Sequence, residues 1–474
     1  MKIQPFFAYF LKEQEFSILR IVVVFSSVIF ILSAPQLVFY PWIAVLFLCL
    51  IVFFDLFLSP NVSRKRRRVI PGPSYLRLAL IVFVQGVFVF AGQYFSDDSL
   101  RHVFDGFYLL RGVDVYSTPP LLLSPVCEAL PNHPQYSTIY FPFTQALAAA
   151  GSWISPCYGF FILFALFCAV MIAAAWFFFS RFERRIFFYV LSTPWWLIES
   201  SSRHSDLCGF LIVMFLVAFL RNANRRGHAR KVSAFWLLFA GLLAGCLPVI
   251  KPEGSIWFLL VFYLFWRTGQ SRLNTGMKTL FSAGAVLSLS LLCGLALAYI
   301  RQNPEAPAAF YKTGRLYSYW FVAYNPFVLF RIHFLNYAIP DAVRSFRTEV
   351  FLSFVVFLVF FPGMILLLKR FSNFHRRIGY VPLFVAAILG VYLFGKGTWQ
   401  PWYFAWWFGA LFYAGWSRFV LELMIFLPLF YIPTAFYRAG EGMPVHYFYL
   451  AVSLFLLCRF FLTKAGRQKI LQMG

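Results

Sequence analysis

Charge is what this chain has least of. Only 12% of its 474 residues are Asp, Glu, Lys or Arg, against 61% hydrophobic and 22% aromatic, where a soluble domain carries about 25% charged residues. So little polar surface cannot clothe a water-soluble body of this size, which excludes a soluble enzyme and a disordered tail. Acid is scarcer still, 17 residues against 41 basic ones. Paired cysteines are lacking too. The eight Cys form no CxxC pair, and most lie inside apolar runs (Cys49, Cys168, Cys208, Cys246, Cys293, Cys458), which excludes a disulfide scaffold. Cys127 and Cys157 flank one polar loop; a disulfide there needs an oxidising compartment, and two free thiols are the expectation. With no Walker-type glycine loop and no HExxH, ATP-driven transport and a zinc site of that kind have no support.

What fills the sequence instead is continuous apolar run. About 20 apolar residues cross a bilayer, and only helices and closed barrels satisfy their backbone in lipid. The runs do not alternate, so helices are the expectation: an all-α integral membrane protein, one polytopic domain over residues 1–474, with 12–14 spans. They fall near 19–34, 41–58, 76–92, 157–180, 186–199, 207–220, 233–250, 255–267, 279–300, 349–369, 378–394, 403–416, 419–436 and 445–463. Residues 5–17 read as an interfacial helix. The first apolar run, Ile21 to Ser33, lacks an A-x-A-type cleavage site and reads as an anchor.

Sidedness follows from the basic residues. With the N-terminus in the cytoplasm and the spans alternating, both termini are inside. The inner loops then collect 29 of the 41 basic residues, including Arg64-Lys65-Arg66-Arg67-Arg68, and five acids (Glu13, Glu15, Asp55, Glu183, Glu422). The inner side thus carries the whole net charge of +24, and the outer side balances at 12 of each sign. A nucleic-acid partner is therefore unnecessary; membrane lipid is the partner of those basic loops. Two outer segments, 93–156 and 301–348, are long enough to hold a site.

The outer acids cluster. Asp97-Asp98 directly follow the third run, and in a helix Asp98, Arg101, His102 and Asp105 would share one face at i, i+3, i+4 and i+7. A carboxylate pair at the membrane edge with a cation one turn on suits a general base or a divalent metal beside a phosphate. Helix capping by Asp97 and an Arg101–Asp105 ion pair explain the same residues structurally. A second cluster runs from Glu199 through Arg203, His204 and Asp206 between two short apolar runs, at a depth where ionisable groups are expensive. Lys251 joins two further spans as a point charge for a phosphate or a snorkelling lysine. A glycine-loosened loop, Gly395-Lys396-Gly397, leads into Pro401-Trp402-Tyr403. Tyr311, Lys312, Arg315, Tyr317, Tyr319 and Trp320 read mainly as interfacial anchors.

These residues resemble a known family, the C-type-fold glycosyltransferases that use polyprenyl-phosphate sugars, above all the bacterial polyprenyl-phosphomannose-dependent mannosyltransferases. The likeness rests on Asp97-Asp98-x-x-Arg101-His102-x-Phe104-Asp105-Gly106, Gly112-x-x-x-Tyr116, His133-Pro134 and Thr138-Ile139-Tyr140-x-Pro142-x-x-Gln145. It continues in His204-x-Asp206, Lys251 and Pro401-Trp402-Tyr403, touching residues 90–405 in patches. His102 and Phe104 depart from the Tyr and Trp usual there, Phe141 from a second Pro, and Ser205 from an Asn; these bear on which sugar is taken. The resemblance implies a first outer loop that forms the floor of the active site, Asp97 or Asp98 as catalytic base, and inverting transfer of a mannose-like hexose on the extracytoplasmic, periplasmic face of a bacterial inner membrane. Partners would be a polyprenyl-phosphate-linked sugar donor and a glycan, glycolipid or protein acceptor. Candidates for donor and phosphate are Arg101, Asp105, Tyr140, Arg203, His204, Asp206, Lys251, Lys396, Trp402 and Tyr403. No cofactor is required, and a divalent metal (Mg or Mn) is allowed. The competing readings are a lipid-linked-oligosaccharide flippase or other transporter, and a surface-polysaccharide polymerase or ligase.

Overall fold

A computed structural model describes residues 75–90, 98–321 apart from 128–129, 132, 224–232 and 269–274, then 381–395, 403–413, 420, 424 and 427–431. The expected spans at 19–34, 41–58, 349–369 and 445–463, most of 419–436, and the interfacial helix at 5–17 lie outside the described residues. So do Asp97, Lys396 and Trp402 among the site candidates, and the second outer segment beyond 321.

The described chain is helical, with no strand. In order come α1 (Tyr75–Phe90), α2 (Asp98–Leu109), α3 (Pro142–Ile154), α4 (Gly159–Phe178), α5 (Arg181–Leu191), α6 (Pro194–Ser202), α7 (Ser205–Ala223), α8 (Ala234–Cys246), α9 (Pro252–Thr268), α10 (Thr275–Gln302), α11 (Ala306–Phe321), α12 (Val381–Gly395) and α13 (Phe404–Tyr413). Three of them, α4, α7 and α10, are long and apolar enough to cross a membrane. The expected all-α membrane protein stands at that level.

Two expected spans are built differently. The run at 186–199 is broken into α5 and α6. Ser180 and Glu183 close a capping box that starts α5, and the Thr193 hydroxyl accepts from the Trp196 N–H to start α6 with Pro194 in its first turn. Pro194 lacks the N–H a continuous helix would need. The run at 233–250 ends as helix at Cys246 and tightens into a 3-10 turn over Leu247–Val249, around Pro248.

Helix α7 is the axis of the core, buried on nearly every residue from Ser205 to Ala223. Its neighbour α13 runs parallel to it, tied at both ends. At one end Trp406 Nε1 donates to Asp206 at 2.6 Å. At the other, Arg221 donates to the carbonyls of Phe412 and Tyr413 at 3.1 and 2.9 Å and pairs with Glu183. Arg221 thereby satisfies carbonyls that the last turn of a helix leaves open. Glycines let α8 and α10 touch: a Cβ on Gly241 or Gly245 would collide with the backbone of Phe281 or Ala285, the small-residue contact by which helices approach closely in lipid.

The expectation of two free thiols at Cys127 and Cys157 is corrected. The sulfurs are bonded, with Cα atoms 5.8 Å apart, inside the range a disulfide spans. The loop between α2 and α3 is folded back against the start of α4, which brings together residues 30 apart in sequence.

Candidate functional site

The predicted one-faced helix exists. α2 begins at Asp98, whose charge suits the exposed N–H groups of a helix start, and ends before Gly112, which takes a left-handed φ of 76°. Its buried residues include Ser99, Arg101, His102 and Asp105. Asp98 differs from them: 26% of its side chain is exposed, against 2% for Asp105 and 0% for Asp206.

Across from α2 stands the sharp turn between α6 and α7. Arg203 there adopts the left-handed region, φ 55°, so that α6 ends and α7 starts within two residues. This turn delivers His204 Nε2 to within 3.3 Å of Asp98 Oδ2. Burial holds the His204 imidazole below its ordinary pKa, with Lys251 acting the same way and Asp98 and Asp206 acting against it. The imidazole is therefore neutral at neutral pH and can donate to the Asp98 carboxyl oxygen.

Arg203 itself is turned toward protein. Its Nε donates to the Val89 carbonyl at 2.6 Å, its Nη1 to Ser99 Oγ at 2.7 Å, and its guanidinium lies 4.0 Å from the centre of the Phe161 ring. It ties the end of α1 to the start of α2, one residue from Asp98. Arg101 is likewise engaged: its Nε lies 3.4 Å from Asp105 Oδ1, and Nη2 donates to the Tyr136 carbonyl. Asp105 also accepts from Gln145 Nε2 at 2.9 Å, while the same nitrogen reaches Thr138 Oγ1 at 2.9 Å. Burial raises the Asp105 pKa, against the pull of Arg101, Thr138 and Gln145. The Arg101–Asp105 pair and the Gln145 link thus clamp α2 to α3 and to the loop between them.

Lys251, at the start of α9, pairs with Asp206 and lies 4.6 Å from the centre of the Tyr403 ring. Asp206, Lys251, Tyr403 and Trp406 form one group beside His204. Tyr140 is placed elsewhere, with its ring 4.1 Å from that of His102 and its carbonyl accepting from the Tyr116 hydroxyl at 2.8 Å. The structure therefore gathers Asp98, His204, Asp206, Lys251 and Tyr403 into one neighbourhood, with Arg203 as its brace, and sets Arg101 and Asp105 to the side as a buried ion pair.

Sequence reasoning missed several participants. Trp406 holds the second oxygen of Asp206, and Tyr431 donates to Glu199. Asp114 accepts from the Tyr116 N–H at 3.0 Å and from the Tyr299 hydroxyl at 2.5 Å, fixing the loop to α10. The local Asp114–Tyr116 turn is a pattern a sequence can show; the bond to Tyr299 leaves no local trace. Among the described residues no group of three His, Cys, Asp or Glu side chains is gathered as a metal ion would need. Comparisons with protein families, with curated proteins and with solved structures find no match for this chain.

Proposed function

We propose that this chain is a membrane glycosyltransferase. It moves a hexose, mannose-like by the resemblance of its motifs, from a polyprenyl-phosphate donor to a hydroxyl acceptor on the extracytoplasmic face, with inversion. The observation that carries this reading is Asp98: of the carboxylates gathered here it keeps a reachable side chain, and a neutral imidazole orients it.

In the proposed reaction Asp98 takes the proton of the acceptor hydroxyl as its oxygen bonds to the anomeric carbon. The bond from that carbon to the phosphate oxygen breaks, and the electron pair leaves with the phosphate. A sugar phosphate is a competent leaving group, so the protein's work is proton removal, positioning and holding of charge. Lys251, 16% exposed beside Tyr403, supplies a cation, with the ring placed for a sugar or lipid face. The disulfide supports an extracytoplasmic first loop, since such bonds persist in oxidising compartments.

The test is transfer by purified protein in lipid, given a panel of radiolabelled polyprenyl-phosphate sugars and a membrane extract as acceptor, with Asp97→Asn and Asp98→Asn beside the wild type. Transfer from one donor, lost in a folded carboxylate variant, is expected. Absence of transfer from every donor, with lipid-linked substrate crossing reconstituted vesicles instead, would replace this reading with that of a flippase.

A further inference from the structure

His102 occupies an unusual place. It is 0% exposed, one helical turn from Asp98 and on the same face of α2. Its ring lies between those of Tyr140 at 4.1 Å and Phe160 at 4.9 Å. Neither Nδ1 nor Nε2 has a hydrogen-bond partner among the described residues. A buried imidazole with two unanswered nitrogens is expensive, of order a hydrogen bond's desolvation for each. An apolar ring of similar size would fill the same slot without that cost.

The chemistry of the slot narrows what could answer those nitrogens. Burial lowers the pKa of His102 to about 3, with His204, Arg101 and Lys251 acting in the same direction against Asp98. The ring is thus neutral, and a neutral imidazole offers one donor and one acceptor. An alcohol hydroxyl also donates and accepts through a single oxygen. The walls are aromatic rings set at an angle to the imidazole: Phe160 is buried, and Tyr140 is half-buried on the loop that the Cys127–Cys157 bond folds back. Polar nitrogens between aromatic walls, one turn from the candidate base, match a sugar ring with its apolar C–H face and its hydroxyl edge.

We propose that His102 reads one hydroxyl of the transferred sugar, reached when the Tyr140 ring swings aside, so that this residue sets sugar specificity. The proposal rests on the glycosyltransferase reading and deepens it. Asp98 handles the acceptor proton, while His102 recognises the donor sugar without taking part in proton transfer.

The experiment uses full-length protein in lipid with the polyprenyl-phosphate hexose that the wild type transfers, and with that donor's 2-, 3-, 4- and 6-deoxy forms. A site built around a hydroxyl rejects the analogue lacking it strongly. The wild type is therefore expected to lose about a hundredfold or more in kcat/KM at one deoxy position. His102→Phe should lose a similar factor with the intact donor and show no further loss at that position, while its thermal unfolding midpoint without substrate is equal to or above wild type. His102→Gln, which keeps a donor and an acceptor, should retain part of the discrimination. Equal discrimination by His102→Phe and wild type at every position would overturn the proposal with the glycosyltransferase reading intact. Failure of both variants to fold would overturn it by making His102 a packing residue. A wild type that transfers from no polyprenyl-phosphate sugar would remove the glycosyltransferase reading, and this inference with it.

Discussion

His204 Nε2 lies 3.3 Å from Asp98 Oδ2, joining the first residue of α2 to the turn between α6 and α7 across 106 residues of sequence. Two segments that carry charge for separate local reasons meet at one contact. The contact leaves Asp98 oriented and part-exposed, as a general base must be to meet an acceptor hydroxyl.

Replacing Asp98 by Asn should therefore remove catalysis and little else. A positioned general base contributes about 10²–10⁴-fold, so kcat should fall by that factor. The side chain is 26% exposed and Asn is nearly isosteric with it, so the thermal unfolding midpoint should stay within about 2 °C of wild type, a shift of a few tenths of a kcal/mol. Radiolabel transfer and a melting curve on the same preparation decide it. Unchanged turnover in Asp98→Asn would rule out the base assignment.

Arg203 should behave in the opposite way, as a fold residue. Its two side-chain bonds, to the Val89 carbonyl and the Ser99 hydroxyl, are buried and charge-assisted. Hydrogen bonds to charged groups contribute about 1.5–3 kcal/mol each. Arg203→Leu also removes the cation, so a net loss of about 3 kcal/mol is expected, read as a lower unfolding midpoint. Activity measured well below that midpoint should fall as well, because the brace ends one residue from Asp98. A variant of wild-type stability would show that the guanidinium is not the tie between α1 and α2.

The helix face of α2 was legible in the sequence because helical periodicity is local: Asp98, Arg101, His102 and Asp105 needed only the 3.6-residue repeat. The identity of their partners was not. Residue type announced that Arg203 carries charge, yet its choice of Val89 and Ser99 over a ligand depends on a left-handed turn no pattern encodes. Trp406 and Asp206 are 200 residues apart, and Tyr299 and Asp114 are 185 apart. Such bonds are set by helix packing, which a single chain's hydropathy does not report. The break at Ser192–Pro194 was hidden for a different reason, since apolar composition continues across it while capping chemistry divides it.

The Asp206–Lys251 pair should show the asymmetry of buried charge. Asp206 is fully buried and Lys251 16% exposed; removing one partner leaves the other uncompensated, at a cost of about 3–5 kcal/mol when fully buried and less here on the lysine side. Lys251→Met alone should destabilise more than Lys251→Met combined with Asp206→Asn, which removes the uncompensated charge and keeps an oxygen for the Trp406 N–H. A double-mutant cycle of unfolding midpoints measures the difference. Additive effects of the two changes would mean the ions are not coupled.

The loop disulfide predicts chemistry at two cysteines. Under non-reducing conditions Cys127 and Cys157 should resist a maleimide mass tag even after unfolding, and should take two tags after reduction, while Cys168 and Cys208 react only once the buried core opens. Loss of the bond frees the loop that holds the Tyr136 carbonyl, Thr138 and Tyr140 against Arg101, Gln145 and His102, beside the site. The double change to Ser should therefore lower kcat/KM even at temperatures well below its own unfolding midpoint, where the protein is still folded. Tagging of both cysteines in untreated protein would refute the bond.

Acid should act on this fold through buried imidazole. In the folded chain His102 titrates near pH 3 because burial opposes its charge, while the unfolded chain titrates it near 6.5. Between those values the unfolded state binds the extra proton, so stability rises with pH. The contribution is complete above about 6.5 and is lost as pH falls toward 3. His204 is shifted downward by burial too and acts in the same direction. Asp105, raised by burial, has the opposite sign: it stabilises at low pH and loses that as pH climbs past its unfolded value. His204 and Asp105 are present in both wild type and His102→Phe, so the comparison isolates His102. The unfolding midpoint of wild type should fall more steeply from pH 6.5 to 4 than that of His102→Phe. Parallel curves would mean that His102 meets water or a counter-charge in the folded protein.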